Sequence, residues 1–191
     1  MIEQAEREKY SRIWSEVPEY RDYSPGRENV PRFMEVLRPR PGATLIDLGC
    51  GTGEGGLAFR DAGLDVTWLD ITGAGLHESI PRRHFLRAPL WSHHLPHGYD
   101  YGYCCDVMEH IPTEYVMLVL DRIATSCRTT WLQIAFLPDE FGQAIDQTLH
   151  LTVKPFAWWL ERLKATGEVT EARDICGAGV FVLESKRCTI N

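Results

Sequence analysis

The segment at residues 47–53, Asp-Leu-Gly-Cys-Gly-Thr-Gly, constrains the fold of this chain more than any other part of its sequence. Its first two residues end an apolar stretch at residues 43–48 that is typical of a buried strand. A stretch typical of a helix, residues 55–61, comes after it. Glycines lack Cβ atoms, so the chain can turn tightly and its backbone N–H groups can contact a ligand. A strand, a glycine loop and a helix in this order predict a ligand-binding unit in an α/β sheet.

The rest of the chain alternates between strand-like and helix-like segments. Further strands are predicted at residues 66–69, 84–86, 101–105 and 130–136, with helices at 113–126 and 155–164. Two last strands, near residues 169–175 and 180–185, flank two glycines and predict a hairpin. The pattern predicts an α/β fold: a doubly wound, mostly parallel, seven-stranded, Rossmann-like sheet with a C-terminal antiparallel hairpin. Ligands of such sheets bind beyond the carboxyl ends of the strands.

Two amphipathic helices are expected before the first strand, because apolar residues recur at helical spacing over residues 10–17 and 30–37. We expect residues 1–40 to form a helical lid and residues 41–191 to form the ligand-binding core of a single domain. Trp14 fits the periodic pattern and is expected to pack in the core. Tyr20 and Tyr23 lie outside it, so we expect them to face the ligand from the lid.

Composition narrows the range of partners. The 27 acidic and 20 basic residues give a net charge of −7, so nucleic acid is an unfavoured partner and a small molecule is expected. No apolar run approaches the roughly 20 residues that span a bilayer, and the first ten residues lack a secretory core. We therefore expect a cytoplasmic protein without a membrane partner. The six cysteines show no metal-finger or C-x-x-C spacing and are expected to be reduced.

Two acids accompany the glycine loop. Asp70 ends the second strand, 23 residues after Asp47, where a carboxylate can accept hydrogen bonds from both hydroxyls of a ribose. Asp47, at the tip of the first strand, would repel a pyrophosphate but can receive a cationic ammonium or sulfonium group. Residues 51–56 also satisfy the G-x-G-x-x-G dinucleotide fingerprint. An NAD-binding oxidoreductase is thus an alternative, which Asp47 and the lack of room for a substrate domain disfavour.

At these residues the sequence resembles the class I S-adenosylmethionine-dependent methyltransferases, whose first motif reads Asp/Glu-x-Gly-x-Gly-x-Gly and whose second is an acid that ends the second strand. The resemblance implies a methyltransferase whose loop glycines hold the methionine part and whose Asp70 holds the ribose. No acid follows the third strand, so the backbone around Leu90 and apolar contacts are expected to hold the adenine. The expected cofactor-binding residues are Asp47, Gly49, Gly51, Gly53, Asp70, Ile71, Leu90 and Asp106.

A second group of polar residues, Asp-Val-Met-Glu-His-Ile at residues 106–111, follows the fourth strand. Asp106 and Glu109 have the spacing of a capping box, which would be purely structural. Alternatively, Asp106, Glu109 and His110 converge and bind a divalent ion such as Mg²⁺, Mn²⁺ or Zn²⁺, with His150 as the fourth ligand.

The segment also resembles the Asp/Glu-x-x-Glu-His element of the ubiquinone-biosynthesis O-methyltransferases and of the small-RNA terminal 2′-O-methyltransferases. The second branch implies a metal held by Asp106, Glu109, His110 and His150. We expect methylation of an oxygen on a small or single-ended acceptor, with Glu109, His110 and His150 as catalytic residues, through a metal or through a histidine general base. A binding module for S-adenosylmethionine without catalysis is a further alternative.

Overall fold

The computed structural model of the chain describes residues 2–22, 25–91 and 95–186. In these residues, seven strands form one sheet in the order β3-β2-β1-β4-β5-β7-β6. The strands are β1 (Thr44–Leu48), β2 (Asp65–Asp70), β3 (Phe85–Arg87), β4 (Tyr99–Cys105), β5 (Cys127–Ala135), β6 (Glu168–Asp174) and β7 (Ala178–Glu184). The first five strands are parallel, and β7 runs antiparallel to both β5 and β6. The predicted fold class is confirmed.

The helices lie before the sheet and in its crossover connections. They are α1 (Ile2–Glu16), α2 (Pro18–Asp22), α3 (Pro25–Glu28), α4 (Val30–Leu37), α5 (Glu54–Asp61), α6 (Val116–Ser126) and α7 (Phe156–Thr166). Short 3₁₀ helices cover Arg82–His84, Met108–His110, Thr113–Tyr115 and Phe141–Ile145. The N-terminal region thus has more helices than the two predicted. Proline begins both α2 and α3, because its fixed φ suits the first position of a helix.

Apolar packing on both faces of the sheet places the loops of the site. Helices α6 and α7 cover one face around Trp159 and Leu132, and α4 and α5 cover the other around Phe33 and Phe59. Strand β1 is buried from its second residue onward, so its carboxyl end opens directly into the glycine loop. None of the described helices is both long enough and apolar enough to cross a bilayer.

A third, smaller cluster joins the N-terminal region to the loop that follows β5. The cluster is formed by Ile13 and Trp14 of α1, by Val17 directly after α1, and by Ile145 and Leu149 of the loop. Helix α1 therefore lies across the carboxyl edge of the sheet, where the sequence predicts the ligand. The division into a lid and a core at residue 40 stays a prediction.

Candidate active site

A cavity of about 480 Å³ opens at the carboxyl ends of β1, β2, β4 and β5, beneath α1. Its volume lies in the range of small-molecule and cofactor sites. Most of the residues predicted from sequence line it: Asp47, Gly49, Gly51, Asp70, Ile71, Leu90, Asp106, His110 and His150. Gly53 and Glu109 do not line the cavity wall. One cavity thus connects the glycine loop to the histidines that follow β4 and β5.

The glycine loop needs its glycines for backbone and packing reasons. Gly49, Gly51 and Gly53 have φ angles of 74°, 54° and 75°, in the left-handed region that side chains disfavour. A Cβ atom on Gly51 would lie 2.9 Å from Cζ2 of Trp14, which covers the loop from α1. Gly53 packs against Trp68 and Ile80 instead of facing the cavity. Its role in this structure is to let α5 begin close to the sheet.

Two buried carboxylates lie beside the loop. Asp47 is 5% exposed, and its Oδ2 accepts a hydrogen bond from the Gly56 N–H at 3.0 Å. Asp70 is 8% exposed; its two oxygens accept from the N–H groups of Gly51, at 2.9 Å, and Thr72, at 3.0 Å. Asp70 thereby joins the loop after β1 to the loop after β2.

Burial disfavours the charged form of both carboxylates. It raises the pKa of Asp47 to about 7, with a further contribution from the nearby Asp70, and it raises the pKa of Asp70 to about 6. None of the described residues that line the cavity is a lysine or an arginine. The site therefore has an excess of acidic groups that a cationic ligand would balance.

The wall after β3 is apolar. Ala88, Pro89, Leu90 and Trp91 line the cavity in succession, and Leu90 is 4% exposed. Trp91 stacks on Tyr115, with ring centroids 5.7 Å apart, so its position is fixed. This surface suits a flat, apolar ring face, as the sequence predicts for the adenine side.

Helices α1 and α2, which we call the N-terminal cover, close the cavity on the side of the glycine loop. Trp14 both packs in the third cluster and lines the cavity. Tyr20 lines it too, and its ring contacts those of Trp14 at 4.6 Å and Phe141 at 5.5 Å. Arg7 donates to the carbonyl of Ile71 at 3.3 Å. Tyr23, the other predicted lid residue, lies outside the described residues.

Glu109, His110 and His150, which we call the His–Glu group, offer ligand atoms within 4.8 Å of one another. The rings of His110 and His150 meet edge to face at 4.7 Å. Glu109 is fully buried: Oε1 accepts from the Ala135 N–H at 3.2 Å, and Oε2 has no hydrogen-bond partner. A buried carboxylate oxygen without a partner is costly, and a bound cation would satisfy it.

The hydrogen bonds of both histidines assign their tautomers. Nδ1 of His110 lies 3.2 Å from the carbonyl oxygen of Leu149, and Nδ1 of His150 lies 2.6 Å from that of Leu137. A carbonyl oxygen only accepts, so Nδ1 carries the proton in each ring and Nε2 keeps its lone pair. Metal-binding histidines have this arrangement, with the second nitrogen donating to a carbonyl or carboxylate.

The electrostatic surroundings separate the two roles predicted for His110. Burial, and then the neighbouring His150, lower the pKa of His110 to about 3. The ring is therefore neutral at physiological pH and can act as a ligand, but it is a weak general base. Burial, and then Asp106, raise the pKa of Glu109 well above its usual range. A cation bound between these side chains would reverse that shift.

Asp106 is not part of the His–Glu group, although the sequence predicts it as one of the four metal ligands. Its backbone is left-handed, with φ of 52°, and its Oδ1 accepts a hydrogen bond from Nε2 of Gln133 at 3.0 Å. The 3₁₀ helix Met108–His110 begins after Val107, which makes no side-chain capping hydrogen bond, so the capping box at Asp106 and Glu109 stays an interpretation. Asp106 lines the cavity between the glycine loop and His110, where it can contact ligands on either side.

Sequence reasoning missed three residues that support the site. Tyr10 places its hydroxyl 2.8 Å from Nδ1 of His110, and Gln133 holds Asp106. Asp139 accepts hydrogen bonds from the N–H groups of Gly142 and Leu149, at 2.8 and 3.0 Å, which fixes the turn before His150. Gln133, a buried amide in an apolar strand, was the one detectable signal. The contacts of Tyr10 and Asp139 depend on tertiary structure.

No protein-family model matches this chain, and no curated protein matches it in sequence. Solved structures do share its fold. One is a Burkholderia thailandensis 1,6-didemethyltoxoflavin-N1-methyltransferase with bound 1,6-didemethyltoxoflavin and S-adenosylhomocysteine. The two structures align with a TM-score of 0.72 and 15% sequence identity, over 96% of this chain and 89% of that chain. A second is the magnesium protoporphyrin IX methyltransferase of Synechocystis PCC 6803 with bound S-adenosylhomocysteine. It aligns with a TM-score of 0.62 and 19% sequence identity, over 84% of this chain and 83% of that chain.

A third similar structure is a protein of Pyrococcus horikoshii OT3, with a TM-score of 0.67 and 14% identity over 83% of this chain and 88% of that one. Identities this low show the fold alone. The chain therefore has the Rossmann-like fold of the class I methyltransferases, as the resemblance of its glycine loop implies.

Proposed function

We propose that this chain is an S-adenosylmethionine-dependent methyltransferase that methylates an oxygen of a small acceptor, assisted by a divalent ion at the His–Glu group. The observation that carries the proposal is the single cavity in which two buried acids and a glycine loop face a cluster of metal-ligand type. The first part suits a cationic nucleoside, and the second suits a hydroxyl group that must lose its proton.

The cofactor assignment rests on charge. S-adenosylmethionine carries an ammonium and a sulfonium group, which would balance the buried Asp47 and restore the low pKa that burial opposes. Asp70 ends β2 and lines the cavity, which supports the ribose role that the resemblance implies for it, and the wall at Leu90 and Trp91 offers an apolar surface for adenine. Two of the similar structures were crystallised with S-adenosylhomocysteine bound, which supports the same ligand here.

The dinucleotide alternative is disfavoured by the same acids and by the sheet. A pyrophosphate at the glycine loop would meet the buried carboxylate of Asp47, and no basic residue lines the described cavity to offset it. The sheet also inserts an antiparallel β7 between β5 and β6. The dinucleotide fold instead continues its parallel order through the sixth strand.

A divalent ion fits the His–Glu group. Oε2 of Glu109 lacks a partner, and both histidines keep Nε2 as the nitrogen that can ligate. When bound, such an ion would lower the pKa of an acceptor hydroxyl that it contacts. The Nδ1–H groups of both histidines hold the rings to the backbone, so the ligand atoms are positioned in advance.

Within the cavity, the residues of this chain would divide the work of a direct displacement. The methyl carbon leaves sulfur and bonds to the acceptor oxygen, whose proton is lost to solvent. Asp47 and Asp70 orient the donor, while Trp14 and Tyr20 exclude water from above. Alignment and exclusion of water are the main contributions of a protein to such a transfer.

The lining of the cavity favours a small acceptor over RNA. On the acceptor side it includes Glu6, Asp139 and Glu140, together with the aromatic rings of Tyr10 and Phe141. A phosphate backbone would meet these acids without a basic partner in the described lining, and the net charge of −7 acts in the same direction.

Calorimetry with S-adenosylhomocysteine tests the cofactor assignment. We expect binding to the wild type, binding at least ~10-fold weaker in Asp47→Asn, and no change in Glu161→Gln, whose carboxylate is exposed on α7. NAD titrated in parallel should give no heat. Heat from NAD with none from S-adenosylhomocysteine would overturn the proposal.

Two further measurements test catalysis. Mn²⁺ titrated into the protein should give a paramagnetic-resonance signature of a bound ion, which Glu109→Gln should remove. Methyl-labelled S-adenosylmethionine, incubated with a small-molecule extract and Mn²⁺, should pass its label to a low-mass product. Cofactor binding without any transfer would instead support the non-catalytic binding module.

A further inference from the structure

Tyr10 reaches the His–Glu group from the N-terminal cover. Its hydroxyl oxygen lies 2.8 Å from Nδ1 of His110, and the two rings meet edge to face with centroids 5.6 Å apart. The same hydroxyl lies 3.5 Å from the carbonyl oxygen of Leu149, the other neighbour of Nδ1. Three polar atoms from α1, from the segment after β4 and from the turn before His150 thus meet at one point.

Only one arrangement of protons satisfies all three atoms. The carbonyl oxygen of Leu149 accepts, so the His110 Nδ1–H donates toward it and toward Tyr10, and the Tyr10 hydroxyl donates to Leu149. The opposite tautomer would leave the lone pair of Nδ1 facing the lone pairs of the carbonyl at 3.2 Å. The observed geometry therefore leaves Nε2 of His110 available to the His–Glu group.

Helix α1 brings Tyr10 to this point through contacts on both sides of the cavity. Arg7 donates to the carbonyl of Ile71, and the hydroxyls of Ser11 and Thr72 are 2.8 Å apart, on the cofactor side. Lys9 donates to the carbonyl of Thr148 at 3.1 Å, on the side of His150. The position of the Tyr10 hydroxyl is thus fixed from both halves of the site.

We propose that Tyr10 is a positioning residue for His110: its hydroxyl, carried by α1, holds the imidazole in the ring orientation that keeps Nδ1 at the Leu149 carbonyl and leaves Nε2 free for the His–Glu group. The proposal rests on the proposed function for its catalytic meaning, but the placement of the ring does not depend on it. The arrangement makes the N-terminal cover a part of the site, in addition to its role in closing the cavity.

The test compares Tyr10→Phe with Tyr101→Phe. The first removes only the hydroxyl at His110; the second removes a hydroxyl on β4, where Tyr101 packs against Phe33 with ring centroids 5.7 Å apart. Nitrogen-15 spectra of the histidine rings report the tautomer of His110 without any ligand. We expect one sharp set of His110 ring signals, protonated at Nδ1, in the wild type and in Tyr101→Phe, and shifted or exchange-broadened His110 signals in Tyr10→Phe, because the ring is no longer held in one orientation.

Binding measurements separate this proposal from the proposed function. Loss of an outer hydrogen-bond partner should weaken Mn²⁺ binding by roughly 10-fold in Tyr10→Phe and leave S-adenosylhomocysteine binding unchanged. His110 signals identical to those of the wild type, in a folded Tyr10→Phe protein, would overturn the role of Tyr10. Failure of the wild type to bind S-adenosylhomocysteine or Mn²⁺ would instead refute the proposed function, while the ring spectra still decide the role of Tyr10.

Discussion

The clearest quantitative test concerns Asp47. Replacing it by Asn keeps the shape and an oxygen that can accept the Gly56 N–H, but removes the charge. Burial raises the pKa of Asp47 to about 7 from an ordinary 3.8. A carboxyl with a raised pKa binds its proton more tightly in the folded state. Its stabilising contribution is therefore complete below about pH 4 and is lost as the pH rises through about 7.

The size of the effect follows from this shift. For a single group with these pKa values, the free energy of unfolding falls by about 2 kcal/mol between roughly pH 5.5 and pH 8. Asp47→Asn lacks this titration, whereas Asp70, whose pKa is raised to about 6, titrates in both proteins. The difference in unfolding free energy between variant and wild type should thus grow by about 2 kcal/mol over this window, in favour of the variant.

Urea unfolding of the ligand-free proteins, at several pH values across that window, measures this difference directly. Calorimetry at the upper pH should also show the variant binding S-adenosylhomocysteine at least ~10-fold more weakly, because a charge-assisted contact is lost. A difference in stability that stays constant across the window would refute the reasoning about burial. Undiminished affinity would refute the role of Asp47 in holding a cation.

Three further variants test other parts of the site. Gly51→Ala should lower the free energy of unfolding by about 1–2 kcal/mol because the backbone of Gly51 is left-handed, and it should also displace Trp14 and weaken S-adenosylhomocysteine binding. Gly63→Ala is the control, because Gly63 is also left-handed but a Cβ atom there would lie in open space. Equal losses of binding in the two variants would contradict the role of the contact with Trp14. Glu109→Gln should weaken Mn²⁺ binding by more than ~10-fold in a metal titration, and it should leave the affinity for S-adenosylhomocysteine as it is in the wild type. Mn²⁺ binding equal to that of the wild type would show that Glu109 is not part of the metal site. Asp139→Asn should lower the free energy of unfolding by about 1–2 kcal/mol and weaken Mn²⁺ binding, because Asn can keep only one of the two hydrogen bonds that Asp139 accepts from the backbone. A loss of stability with normal Mn²⁺ affinity would show that the turn does not position His150.

The fold was predictable because its signals are local. Alternating apolar segments and glycine punctuation indicate the strands, and the order of strands and helices then selects a parallel sheet. The limits of strands were less accessible. Strand β5 begins at Cys127, three residues before the predicted start at residue 130, because Cys127 and Thr129 pair with Tyr99 and Tyr101 of β4. Such pairing across strands leaves no apolar run in the sequence.

The site was predictable only where its residues follow the ends of strands. Asp47 and Asp70 lie at the carboxyl ends of neighbouring parallel strands, Asp47 one residue before the end of β1, so their proximity follows from topology. Asp106 has a left-handed backbone and accepts a hydrogen bond from Gln133, and neither feature has a signature in the sequence at residue 106. The contact of Tyr10 with His110, 100 residues apart, depends on how α1 packs.

The two hydrogen bonds of Asp70 have a consequence for the thermodynamics of recognition. Because this carboxylate already links the turns at Gly51 and Thr72, the side of the cavity at the glycine loop has its shape before any ligand arrives. Little conformational entropy then remains to be lost on association, so preorganisation contributes to affinity. Asp70→Asn should accordingly show a larger entropic penalty for S-adenosylhomocysteine in calorimetry, in addition to the contact it loses.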